Sequence, residues 1–307
     1  HLFWMARYTE RAENTARMLD VNLQTQLLPQ SAEAAEQGWR AVLGISELQP
    51  AFDDKYPAIT HKDVIDFMVK DPDNPSSIAS CLTHARENAR AVRGALTTEV
   101  WETQNTTWLD MHSVLNNHTL ERDPGEFFEW VKHRSHLSRG VTIGTMLKDE
   151  AFYFIRLGTF LERADNTARL LDVKFHSADG NLLASHDADF YHWASVLRSV
   201  SAFETYRKAY RDVITPARVA ELLILRADMP RSLMACVTEV VNNLVEVRNT
   251  SSAETERFAG RIHADLRFSS MDEILKRGLH DFLTEFLKQI YELGNRVSRD
   301  FLLPLAA

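Results

Sequence analysis

An all-α fold, a helical bundle, is what this sequence predicts, and three observations predict it. Apolar residues recur at three- and four-residue steps along nearly the whole chain. Gly and Pro, 11 and 9 of 307 residues, are sparse and collected in a few places. No run shows the strict two-residue alternation of a half-buried strand, which argues against a sheet. About a dozen helices are expected, six or so in each half of the chain.

The halves are visible because the chain contains a string twice, and such repeats decide the architecture. Residues 10–21 read Glu-Arg-Ala-Glu-Asn-Thr-Ala-Arg-Met-Leu-Asp-Val, and residues 162–173 match them at ten of twelve positions, offset by 152. Trp39 with Val42-Leu43 recurs as Trp193 with Val196-Leu197, offset by 154. Thr60 with Val64-Ile65-Asp66 recurs as Thr215 with Val219-Ala220-Glu221, and Asp73, Pro75, Ser77 and Cys81 recur as Asp228, Pro230, Ser232 and Cys236, offset by 155. Four markers in one order imply a tandem duplication, with halves 1–150 and 151–307. By the logic of isologous contacts, such halves are expected to pack about a pseudo-twofold axis and share one core in a single domain. No Pro-, Gly- or Ser-rich linker separates them near residue 150.

Taken in order, the helices are separated by turn signals at Leu28 to Ser31, Gln49 to Pro57, Asp71 to Pro75, Asp123 to Gly125, Ser177 to Asp187, Thr215-Pro216 and Asp228 to Pro230. Asp123-Pro124 and Thr215-Pro216 read as helix starts, a capping side chain followed by proline at the first helical position. The paired cysteines are expected in helices opening near Asp-x-Pro. Eight residues from Asp73 to Cys81 would set the thiol about two turns in, where a helix terminus lowers its pKa little. Buried core cysteine is therefore the expectation, as it is core packing for Trp101, Trp108, Phe127, Phe128 and Trp130.

Composition narrows the function. A net charge of −8 argues against a general nucleic-acid binder. Two cysteines cannot build a disulfide scaffold, which points to a reducing cytoplasm. No apolar run reaches the length of a membrane span. The chain opens at His1, already inside what reads as a helix, so the true N-terminus is expected upstream.

The repeated string carries the candidate site. On a helical wheel Met5, Tyr8, Ala12, Ala16 and Leu19 share one arc, and Glu10, Glu13, Asn14, Arg17 and Asp20 the opposite one, with Arg7 at its edge. Glu162, Asp165, Asn166, Arg169 and Asp172 repeat the polar arc. Three readings are open: a solvated face with i, i+4 pairs, a buried Glu/Arg/Asn network that specifies helix pairing, or a cleft that grips an anionic or peptide-like ligand in arginine forks. A second cluster, Arg86, Arg90 and Arg93, lines up on one helix face. Three guanidinium groups there need an anion or carboxylates among them, for which Glu87, Glu99 and Glu102 are at hand. The second half has no matching cluster.

Other chemistries lack their residues. Glu-x-x-His pairs on facing helices, as in di-metal bundles, do not occur. Asp189-x-x-His192 and Glu129 with His133 and His136 are single strings without a counterpart, so no metal site is expected. Neither a phosphate loop nor a Gly-x-Gly-x-x-Gly fingerprint is present, so no cofactor is expected and ATP would have to be held by a partner.

Phe3 to Arg17, Ala85 to Arg93, Glu99-Val100-Trp101-Glu102 and Gly158 to Arg169 resemble the bacterial alpha-E family, and the likeness covers nearly the whole chain. The resemblance implies an all-helical domain without an assigned reaction. The family is often encoded beside, or fused to, circularly permuted ATP-grasp ligase-like proteins, near transglutaminase-like and proteasome-like peptidases. It thus implies a helical partner of an ATP-grasp-type peptide or amino-acid ligase. The residue pattern, not the resemblance, supplies the candidate surface for peptide carboxylates or the ligase: the arc of Arg7, Glu10, Glu13, Asn14 and Arg17, its repeat, and Arg86, Glu87 and Arg90. Two other classes stay open: an independent enzyme with Glu10 or Glu162 as general base and an arginine-bound anionic substrate, and a purely structural, homo-oligomeric bundle.

Overall fold

The structure, a computed structural model, describes residues 1–176 and 188–302. Among them are sixteen α-helices and no strand. The turn signal at Ser177 to Asp187 lies outside the described residues. The helix number exceeds the expected dozen because several connections coil into short helices of their own. Gln49–Asp53 is one such, a five-residue helix in a stretch read from the sequence as loop. Thr119–Arg122 is another. Two compact units divide the chain, His1–Thr159 and Phe160–Ala307. The division falls inside a continuous helix.

The first unit is built on α1 (Leu2–Gln26), α2 (Ala32–Ile45), α3 (Gln49–Asp53), α4 (His61–Val69), α5 (Ile78–Ala91), α6 (Thr98–Asn116), α7 (Thr119–Arg122), α8 (Pro124–Thr145) and the first turns of α9 (Glu150–His176). Four of these form a ring in which α1 touches α5 and α8, and α6 touches the same two. The cross-contacts fix their sense. The Tyr8 ring packs against His84 while Arg11 reaches Ser76. Glu10 meets Arg139 while Asp20 meets Lys132. Thr97 meets Thr145 while Thr107 meets Arg134. Each neighbour therefore runs antiparallel to the next, as short connections favour.

Local chemistry accounts for the helix ends. Ser31, Thr60, Ser77 and Thr97 each accept from the backbone N–H three residues on, opening α2, α4, α5 and α6. Asp123 does so for Glu126 at the start of α8, ahead of Pro124 as the sequence predicts. The core gathers Trp39, Val42, Leu43, Phe52, Met68 and Phe127, with Ala12, Ala16 and Cys81 where α1 and α5 pass. A smaller cluster at the other end of α1 joins Met5 and Ala6 to Ala85, Ala89 and Ile155. Gly158 lies against α1 so closely that a Cβ would sit 2.2 Å from the Phe3 carbonyl oxygen.

In the second unit follow the rest of α9, then α10 (Ala188–Ser199), α11 (Phe203–Tyr210), α12 (Pro216–Ile224), α13 (Leu233–Glu246), α14 (Ala253–Phe268), α15 (Met271–Arg277), α16 (Leu279–Val297) and a π-helical turn, Ser298–Leu302. Trp193, Leu197, Tyr206, Leu222, Leu233 and Cys236 are among its buried residues. The Tyr206 hydroxyl donates to the Val213 carbonyl at 2.9 Å and accepts the Thr215 N–H at 3.1 Å, pinning the loop ahead of α12. Several of the paired sequence positions have the same local role in their own units. Thr60 and Thr215 cap nine-residue helices, Ser77 and Ser232 cap fourteen-residue helices, and Trp39 and Trp193 are both buried.

The cysteines require a correction. Asp73 and Pro75 sit in a turn, and α5 begins only after the Ser77 cap, so Cys81 lies one turn into its helix, not two. Both thiols are fully buried.

His192 makes the second unit acid-sensitive. Its Nε2 donates to the Lys174 carbonyl at 3.0 Å, and burial, with the nearby Lys174 cation adding to it, lowers the imidazole to about 4 from an ordinary 6.5. The unfolded chain takes up this proton near pH 6.5 while the folded one refuses it until about pH 4. The His192 contribution to stability is therefore complete above pH 6.5 and falls by about 3 kcal/mol as pH drops through that window. In urea titrations at pH 7.5 and pH 4.5, His192→Gln is expected to narrow the difference between midpoints.

Candidate functional site

The polar arc of α1 is not a solvated face. Glu10 is 1% exposed, Glu13 0% and Arg17 9%, and Asn14 and Asp20 are buried as well. A helix with apolar residues on one side normally turns the other to water. Here α8 covers that other side with a polar stripe of its own, Lys132, Ser135, His136 and Arg139, spaced by three and four residues.

Glu13 is the hub. Its Oε1 accepts from Arg17 Nε at 2.9 Å and Nη2 at 2.6 Å, a fork between residues one turn apart. Its Oε2 accepts from the Ser135 hydroxyl at 2.7 Å and from Arg139 Nη1. Arg139 Nη1 also reaches Glu10 Oε2 at 3.1 Å. Arg17 Nη2 donates to His136 Nε2 at 3.0 Å; a guanidinium has no acceptor, so the imidazole nitrogen must accept. A turn further on, Lys132 Nζ binds Asp20 Oδ2 at 2.7 Å and Glu129 Oε1 at 2.6 Å, and that hydrogen bond from Lys132 holds the Glu129 carboxyl below its usual range. Alongside, Gln104 bonds Ser138 and Arg134 bonds Thr107 across α6 and α8. Buried charges are tolerable only when paired and hydrogen-bonded in this way.

Sequence reasoning missed Lys132, Ser135 and Arg139. Their signal was a polar stripe at positions i, i+3 and i+7 of α8, with His136 at i+4, which was read only as histidines near Glu129. Glu129 is occupied by Lys132, and among the described residues no group of three His, Cys, Asp or Glu could hold a metal ion. The side chain of Asp189, the partner proposed for His192 in a second such string, lies outside the described residues.

In the second copy Arg169 Nε pairs with Asp165 Oδ2 at 2.7 Å, both partly exposed, while Asp172 Oδ1 is 2.6 Å from His280 Nδ1. Glu162 is buried, and Asn166 is half-buried. The arginine after each glutamate, which the wheel did not single out, reaches the loop ahead of the following capped helix. Arg11 Nη1 donates to Ser76 Oγ and Arg163 Nη1 to the Pro230 carbonyl, each at 3.5 Å. Arg7 lies over the Trp4 and Phe3 rings, 5.1 and 5.7 Å from their centroids.

The Arg86 cluster is separate from the Glu13 network. Glu87 is the carboxylate that enters it, bonded to Arg86 Nη1 and, at 2.6 Å, to Arg90 Nη2, and the Arg86 bond lowers its pKa most. Arg86 also donates to Asn105 at 3.2 Å and lies 4.8 Å over Trp108; Arg93 lies 5.1 Å over Trp101. Neither Glu99 nor Glu102 pairs with these arginines among the described residues. Trp101 and Trp108 are partly buried, whereas Phe127 and Phe128 are fully buried.

Fold and site together define an all-helical domain organised round buried glutamate–arginine pairs. The chain belongs to the Alpha-E family, described as a predicted alpha-helical domain with a conserved ER motif, which matches residues 1–302. Glu10-Arg11 and Glu162-Arg163 are the Glu-Arg pairs of the repeated string. The chain is also similar to uncharacterized proteins of Mycobacterium bovis and Mycobacterium tuberculosis, 24% identical over 94% of this chain and 34% of theirs. It thus spans about a third of the length of these curated relatives. No solved structure matches it. No helix among the described residues is long and apolar enough to cross a membrane.

Proposed function

We propose that the chain is a helical partner of an ATP-grasp-type peptide or amino-acid ligase, contributing binding surface and no independent chemistry. One observation carries the partner reading: the relatives hold a region like this chain as a third of a much longer polypeptide. The identity of the ligase rests on the resemblance of the quoted strings. On this reading the arc of Glu10, Glu13, Asn14 and Arg17 serves to specify helix pairing, because its carboxylates are spent on Arg17, Arg139 and Ser135. Contacts to peptide carboxylates or to the ligase fall to more accessible groups, Arg90, 64% exposed on its side chain, and the Asp165–Arg169 pair. The matched caps and tryptophans support a duplicated ancestor, and a pseudo-twofold arrangement of its descendants is part of the same proposal.

The enzyme alternative asks Glu10 or Glu162 to reach a substrate proton within hydrogen-bond distance. Their near-complete burial favours the partner reading. The two separate by experiment. Coexpressed with its ligase, the chain is expected to copurify and to raise ligase turnover, and Glu10→Gln is expected to lower the melting temperature. Turnover of an amino acid by the chain alone, lost in Glu10→Gln at unchanged melting temperature, would reverse the assignment.

A further inference from the structure

We infer that a groove of about 540 Å³ in the second unit, between α14, α15 and α16, docks a basic amphipathic helix of a partner polypeptide. The inference rests on the partner reading and adds where, and through what chemistry, a partner binds. The groove arises from the helix patterns. α14 ends at Phe268, α15 turns away after the Ser270 capping box, and α16 returns after Gly278, so the three leave a trough. Its floor is apolar, with Ile262, Leu266, Ile274 and Phe286 each 3% exposed or less. At one lip stands Phe268, 80% exposed, a full aromatic surface left in water.

The rim carries the sign. Of the charged residues lining the groove, Asp265, Glu273 and Glu285 are acidic and Arg277 alone is basic. Glu273 accepts from the Ser270 N–H and hydroxyl, both at 2.9 Å, which holds it anionic at neutral pH. Asp265 and Glu285 form no ion pair among the described residues. An apolar trough with a surplus of two carboxylates complements a helix with apolar residues at i, i+3, i+4 and i+7 and lysines or arginines flanking them. The volume of the groove is within the range of binding pockets.

The test uses the full chain and a fluorescent Leu/Lys peptide of about fourteen residues, long enough to be helical once bound. Controls are a scrambled peptide of the same composition and a Leu/Glu peptide of the same pattern. Saturable binding is expected for the amphipathic Leu/Lys peptide only. Phe268→Ala, at an exposed position that leaves the core intact, is expected to weaken it about tenfold. Asp265→Lys with Glu285→Lys is expected to weaken it by a similar factor and to admit the Leu/Glu peptide. Glu204→Lys, on α11 and outside the groove, is expected to change nothing. Equal binding by all variants would mean nonspecific attraction to the −8 chain and would overturn the proposal. So would absence of saturable binding. Copurification with a ligase would be untouched by either failure, which keeps the partner reading separately testable.

Discussion

Gly158→Ala is expected to destabilise the first unit by about 3 kcal/mol, an effect at the upper end for one added methyl group. The new Cβ would lie 2.2 Å from the Phe3 carbonyl oxygen, 3.0 Å from its carbon and 3.1 Å from the Ala6 Cβ. The nearest obstacle is backbone, so no rotamer change relieves it. The opening turn of α1 has to move away from α9, and with it Met5 and Ala6 leave the cluster they form with Ala85, Ala89 and Ile155. Thermal or urea unfolding checks this, and Gly158→Ser should behave no better. As a contrast, Gly140 on α8 has nothing within 4 Å of its added Cβ, so Gly140→Ala is expected to be neutral or slightly stabilising through helix propensity. Equal stabilities of Gly158→Ala and the parent chain would show that the close approach of α1 and α9 is dispensable.

Glu13→Gln is expected to cost about 3 kcal/mol while leaving the shape of the side chain unchanged. Oε1 accepts two hydrogen bonds from Arg17, and Oε2 accepts one from Arg139 and one from the Ser135 hydroxyl; the two guanidinium groups cannot accept in return. An amide presents one NH₂ to one of those guanidinium groups, so a donor faces a donor at full burial. Removing the anion also leaves Arg17, itself buried, short of its counter-charge. Glu13→Gln with Arg17→Met is expected to recover part of the loss, since breaking a buried pair costs more than replacing it with apolar groups. Chemical denaturation of the single and double variants measures that coupling. Additive losses would show that the pair acts as two independent residues.

The helical class, the capped starts of α8 and α12, and the core positions of Cys81 and Phe127 follow from short-range rules. Capping and periodicity act within a turn or two, so they can be read from neighbouring residues. The short helices α3 and α7 escaped because four or five residues carry too little periodicity, and the start of α5 was displaced because Asp73 and Ser77 both resemble caps. The candidate residues were legible as types: Glu10, Glu13 and Arg17 were singled out with the correct spacing for the Glu13–Arg17 fork. Their environment was not. A polar arc on a wheel looks the same whether water or another helix faces it.

What the sequence determined by itself is local and periodic: helices, their caps, and the doubled string with its Glu-Arg pairs. Tertiary structure alone decided that α8 lies against the polar side of α1. That choice brings residues more than a hundred positions apart, Glu13 with Ser135 and Arg139 and Asp20 with Lys132, into hydrogen-bond contact. The physical reason is range. Helix signals depend on neighbours along the chain, whereas desolvating a carboxylate depends on which distant guanidinium arrives to pair with it.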